Sequence, residues 1–151
     1  MKRERQESAR AARLGWPTLL WALLLAWPGA DLHAQEPAVP PASSVAQSLV
    51  DAFNRHDPSA MAALVATDFE LYYVNDDGIV ELAVRGPEAL RDEMTGYFAS
   101  RPNVRSTITS MVDGPTFVSF REQVVGGQSS LAVYEVRGGL IKRVWYYPGE
   151  S

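Results

Sequence analysis

One order of elements fills Ser43 to Ser151 and constrains the fold more than any motif does. It runs helix, helix, hairpin, helix, then strands. Ser44 and Gln47 fit a Ser-x-x-Gln capping box, which predicts a helix start. Val45, Leu49, Ala52 and Phe53 follow at helical spacing, and this helix ends near Asn54-Arg55-His56. Asp57 as N-cap and Pro58 at the first helical position restart the chain. Met61, Leu64 and Val65 give the second helix an apolar side, and Thr67-Asp68 closes it.

Phe69 to Val74 is rich in aromatic and β-branched residues and predicts a strand. Asn75-Asp76-Asp77-Gly78 turns it into a partner, Ile79 to Val84. Pro87 and Glu88 open a third helix, striped by Leu90, Met94, Tyr97 and Phe98 and stopped by Arg101-Pro102. Val104 to Val112, Thr116 to Val125, Leu131 to Val136 and Leu140 to Tyr147 read as strands. Asp113-Gly114-Pro115, Gly126-Gly127 and Gly138-Gly139 separate them, the last as a two-residue hairpin loop. This order predicts an α+β fold, with helices over one face of a strongly curved, mostly antiparallel sheet.

Ahead of the domain lie five basic residues before Leu14, an apolar run from Leu14 to Trp27, and Leu32-His33-Ala34. The pattern reads as a secretory signal peptide over residues 1–34, cleaved after Ala34. The rival is a membrane-spanning helix, but the run falls short of the ~20 residues a span needs. No Arg-Arg pair points to folded export, and with no cysteine there is no site for a lipoprotein anchor. A secreted or periplasmic protein is expected. Residues 35–42, with three prolines, read as an extended tether, and 43–151 as the domain.

Without residues 1–34 the chain keeps nine basic and fifteen acidic residues, a net charge of −6. That argues against nucleic acid and anionic membrane as partners. Without disulfides, an ordinary hydrophobic core must hold the domain.

Asn54-Arg55-His56-Asp57 between two helices, Asp68 opening a strand, Arg85-Gly86-Pro87-Glu88-Ala89-Leu90 opening the third helix and the final strand Leu140 to Tyr147 resemble the nuclear transport factor 2-like superfamily. Within it the resemblance is to SnoaL-like proteins, over about residues 44–148. It implies a cone, a bent sheet wrapped around helices with a pocket at the open end. The superfamily holds isomerases, cyclases, dehydratases, epoxide hydrolases and non-catalytic scaffolds, so fold does not settle function. Ketosteroid isomerases of this superfamily place a carboxylate base where this chain has Tyr73. Their oxyanion-site Tyr and acid fall near Leu49 and Leu131, so that catalytic set is missing. Epoxide-hydrolysing relatives need an Asp-Arg-Asp set. Arg121 with Glu122 and Glu135 imitates part of it, but strand neighbours point to opposite faces, so Arg121 and Glu122 cannot both look inward.

The resemblance also suggests which side chains face the pocket: Phe53, Leu71, Tyr73, Tyr97, Leu131, Val133, Val144 and Tyr146. Tyr72, Trp145 and Tyr147 would then lie on the outer sheet face and suit a homodimer interface. His56, the only histidine after residue 34, serves either as an acid or base or simply as the end of the first helix. Glu81, Arg85 and Arg121 have the surface as their default. No metal site is expected, because Asp76-Asp77-Gly78 lacks the calcium-loop pattern and no His pair or Cys exists; no cofactor is expected either.

Three functions stay open at this point. The leading one is an exported domain that binds a small, largely apolar molecule in its cone, with no recognised catalytic set. The second is an isomerase, cyclase or hydratase using Tyr73 or Tyr146 with a hidden carboxylate. The third is an interaction module working through its outer sheet.

Overall fold

Helix α1 spans Ala42–Asn54 in the computed structural model, which describes residues 38–127 and 129–149. The expected signal peptide lies outside the described residues. One face of α1 is buried through Val45, Ala46, Leu49, Val50 and Ala52. Pro41, not Ser44, stands at its N-cap and no side chain caps it. The capping box gives way to other partners: Gln47 donates to Asp51 one turn on, and the Ser43 hydroxyl to Asp113 far along the chain. Ala42 is thereby part of the buried helix rather than of the tether.

His56 turns the chain between helices with φ of 54°, a left-handed conformation uncommon for a residue with a Cβ. Its ring compensates by stacking on Phe98, centroids 4.6 Å apart, while Nε2 lies 2.9 Å from the Val104 carbonyl. Helix α2 (Pro58–Ala63) starts as expected, with the Asp57 carboxylate accepting from the Ala60 amide at 2.9 Å. It is shorter than expected. Strand β1 (Val65–Val74) begins at Val65 rather than Phe69, because Val65 already pairs with Ile141.

Strand β2 (Val80–Arg85) returns through the Asn75–Gly78 turn, where the Asn75 side chain accepts from the Asp77 and Ile79 amides. Helix α3 (Pro87–Ser100) follows, then β3 (Ser106–Asp113), β4 (Phe117–Val124), β5 (Ser129–Arg137) and β6 (Leu140–Pro148). Among the described residues the six strands run in the order β2-β1-β6-β5-β4-β3, and only β1 and β6 pair in parallel. All three helices contact one another or the sheet, α1 over β3 to β6 and α3 over β1 and β2. Phe69, Val118, Phe120, Ala132, Tyr134, Ile141 and Val144 fill the interface at 1% exposure or less. This is the α+β cone expected from the element order.

One irregularity decides which way β5 faces. Gly138 and Gly139, both at positive φ, make the tight loop between β5 and β6. A regular ladder from that loop would set Val133 opposite Val144 and Leu131 opposite Tyr146. A β-bulge between Glu135 and Val136 moves the register by one, so Tyr134 faces Val144 and Ala132 faces Tyr146. A one-residue slip exchanges the faces of a strand. Leu131 and Val133, expected inside, therefore lie on the outer face beside Tyr147 and Trp145.

Candidate functional site

Inside the cone is a cavity of about 180 Å³. Helices supply Leu49, Val50, Phe53, Met61, Leu90, Glu93, Met94 and Tyr97 to its wall. Strands supply Phe69, Leu71, Tyr73, Glu122, Val124, Ser130, Tyr134, Val144 and Tyr146. Of the eight residues singled out from sequence, Phe53, Leu71, Tyr73, Tyr97, Val144 and Tyr146 line this wall. Leu131 and Val133 do not, for the register reason above. Leu131 also cannot stand in for an inward-facing acid, being 46% exposed on the far face.

The polar groups of the wall cluster at one end. Cross-strand partners place Tyr73 beside Tyr146 and Tyr146 beside Ala132, and Glu122 beside Ser130. The Tyr73 and Tyr146 rings stack with centroids 5.8 Å apart. The Tyr134 and Tyr146 hydroxyls form a hydrogen bond of 2.9 Å. Burial pushes both phenols well above their ordinary pKa, and the nearby Glu122 carboxylate adds to it. Tyr73 stands at the mouth, 54% exposed. Its phenol is raised too, by partial desolvation first and then by Tyr97, Glu93 and Glu122.

Glu122 is the group that sequence reasoning left unplaced. It is 6% exposed. Its Oε1 accepts from the Ser106 hydroxyl, while its buried Oε2 has no hydrogen-bond partner among the described residues. Desolvation raises its pKa above the ordinary carboxylate value, although Ser106 and the nearby Tyr146 hydroxyl pull the other way. Asn54 at the end of α1 fixes this arrangement. Its side chain donates to the Ser106 carbonyl at 2.8 Å and accepts from the Ser106 amide at 2.7 Å, as a neighbouring strand would. One signal in the sequence pointed to Glu122. It continues the alternation Val118, Phe120, Glu122, whose first two members are completely buried. Arg121, next to it, is exposed on the outer face.

The remaining candidates lie elsewhere. His56 is held by Phe98 and the Val104 carbonyl and does not line the cavity. Glu81 is exposed. Arg85 pairs with Glu70 at 2.9 Å on the outer face. There Arg143 bridges Glu70 and Glu135, and Arg137 also holds Glu135. Burial works against the charge on Glu135, but those two guanidinium hydrogen bonds keep its pKa below the ordinary value.

The chain belongs to a family defined by this fold. The model of the SnoaL-like domain family matches residues 46–144, nearly the whole of the helices and sheet. No curated protein matches the chain. Solved structures share the fold at low identity. An uncharacterised cystatin-fold protein from Novosphingobium aromaticivorans is 23% identical, with a TM-score of 0.58 over 68% of this chain and 94% of its own. IdmH of Streptomyces antibioticus, described as a candidate polyketide cyclase, is 21% identical, with a TM-score of 0.56 over 69% and 88%. A protein of ketosteroid isomerase-like fold from Catenulispora acidiphila, in complex with trimethylamine, is 19% identical, with a TM-score of 0.55 over 71% and 86%.

Proposed function

We propose that this chain binds a small, largely apolar molecule in its cone and holds one polar group of that molecule at Glu122. The observation that carries this reading is an apolar cavity of about 180 Å³ with a single buried, half-satisfied carboxylate in its wall. Ligand sites combine those two features: apolar walls supply affinity and a few placed polar atoms fix orientation. Size bounds the ligand. A dry cavity of about 150 Å³ accommodates benzene, so one ring with short substituents suits this space and a steroid does not. Native mass spectrometry of the protein purified from its own host tests the reading. A co-purifying small molecule lost from Glu122→Ala supports it, and an empty protein that takes up no small apolar compound counts against it.

The signal-peptide pattern of residues 1–34 supports an exported protein, secreted or periplasmic. Among the described residues no helix is long and apolar enough to cross a membrane. Intact-mass analysis of exported protein tests the expected new N-terminus at Gln35.

A homodimer through the outer sheet is a second reading, favoured by one observation. Leu82, Tyr72, Trp145 and Val133 form a row across four strands, with Tyr147 and Leu131 beside it. Leu82 and Leu131 are 44% and 46% exposed. A contiguous apolar row of exposed and half-buried side chains of this kind marks an interaction site. Sedimentation of the wild type against Leu131→Glu tests it: a dimer that dissociates in the variant is the expected result.

A further inference from the structure

We infer that the molecule held in the cone is a cation, a small amine carrying apolar substituents, with its ammonium group at Glu122. The inference rests on the pocket reading above and specifies its ligand class.

Charge sets the class. Among the described residues the cavity wall holds two carboxylates, Glu122 deep inside and Glu93 on α3, and no Lys, Arg or His. Glu93 is exposed, so it sits where an entering cation meets it first. The Arg101 guanidinium lies 4.6 Å from the centre of the Tyr97 ring and does not line the cavity. An anionic ligand would meet like charge from these described residues.

Geometry sets the position. Ser106 satisfies one oxygen of Glu122 and leaves Oε2 buried without a partner. A buried acceptor without a partner is costly, and a donor arriving with the ligand removes that cost. Tyr134 and Tyr146 share one hydrogen bond, and the Tyr146 hydroxyl stands close to Glu122 without meeting Oε2 in a hydrogen bond. An ammonium N–H supplies a charge-assisted bond, the stronger kind.

The wall suits the same class. Phe53 and Tyr97 lie 6.0 Å apart on one side, and Tyr73 and Tyr146 stack on the other. Aromatic faces attract cations, most strongly where water is excluded. A neutral alcohol gains neither the charge-assisted bond nor this attraction.

Three probes of equal ring size separate the possibilities: cyclohexylamine, cyclohexanol and cyclohexanecarboxylate. Binding is measured by calorimetry at a pH above the titration of Glu122. The methyl signals of Met61 and Met94, both in the wall, report whether a probe enters the cavity. The amine is expected to bind on the order of tenfold or more tighter than the alcohol, with the carboxylate weakest. In Glu122→Gln, checked for folding by thermal melting, the preference for the amine should disappear while the alcohol still binds. In Glu93→Gln it should shrink but persist. Cyclohexanol binding as tightly as the amine, or an amine preference that survives Glu122→Gln, overturns the cation class and leaves the pocket standing. An amine that binds without moving the Met61 and Met94 methyls also overturns it. If none of the three probes binds folded protein at millimolar concentration, the pocket reading itself fails and takes this inference with it.

Discussion

The hydroxyl of Tyr134 on β5 has a single partner, the hydroxyl of Tyr146 on β6, at 2.9 Å with the two rings nearly perpendicular. Tyr146 has an alternative within reach, because its hydroxyl also stands close to Glu122. The two deletions should therefore differ. Tyr146→Phe strands a phenol on a residue only 1% exposed, at a cost of about 1–3 kcal/mol. Tyr134→Phe frees the Tyr146 hydroxyl to turn to the unpartnered Oε2 of Glu122 and should cost under about 1 kcal/mol. Urea midpoints of both variants measure this, and equal losses would contradict the asymmetry.

Why was most of this fold legible and the site only half so? Helices and strands follow from spacing, turns and caps, which are local. Asp57-Pro58 and Asn75–Gly78 did in the structure what their chemistry requires. The capping box at Ser44 failed because the helix already starts at Ala42, where Ser43 bonds to Asp113, a partner seventy residues away that no local pattern reveals. The inward set on β5 failed for a similar reason. A single bulge after a regular-looking Gly-Gly loop reverses Leu131 and Val133, and nothing in those residues announces it. Glu122 was hidden by its type: a carboxylate in a strand has the surface as its default. Only its alternation with Val118 and Phe120 spoke for the interior.

Phe98 and Phe53 looked equivalent on their helices, and the structure separates them. Phe98 is 7% exposed, packed edge-on against Phe53 at 5.2 Å and stacked on His56. Phe98→Ala should cost about 3–5 kcal/mol. Phe53 is half-buried and has the cavity on one side, so truncation removes fewer contacts. Phe53→Ala should cost at least about 1 kcal/mol less than Phe98→Ala in the same denaturant series.

The resemblance drawn from the sequence sets Tyr73 where isomerases of the superfamily carry their base, and Tyr73 makes no hydrogen bond with the described residues. A phenol is a poor base near neutrality, and desolvation here raises its pKa further. The wild type should show no steroid isomerisation, and Tyr73→Phe should leave stability within about 0.5 kcal/mol of it. Turnover in the wild type that vanishes in Tyr73→Phe would move the protein among the enzymes of its fold.

Glu122 also leaves a signature in stability against pH. Its pKa is raised in the folded protein, chiefly by desolvation, while in the unfolded chain it keeps its ordinary value. Below that ordinary value both states are protonated, and the favourable contribution of the neutral group is fully present. As pH rises past it, the unfolded chain ionises first, so folding loses stability until pH has passed the folded pKa. Glutamine does not titrate, so Glu122→Gln escapes this loss. Glu70, lowered first by the Tyr72 hydroxyl and then by Arg143 and Arg85, and Glu135, lowered by Arg137 and Arg143 against its burial, titrate alike in the two proteins and cancel from the comparison. Urea midpoints measured from about pH 4 to pH 8 should show the variant gaining on the wild type as pH rises above the ordinary carboxylate value. A gap that does not change with pH would mean that the Glu122 carboxylate is solvated, and a solvated carboxylate could not be the polar anchor of the cone.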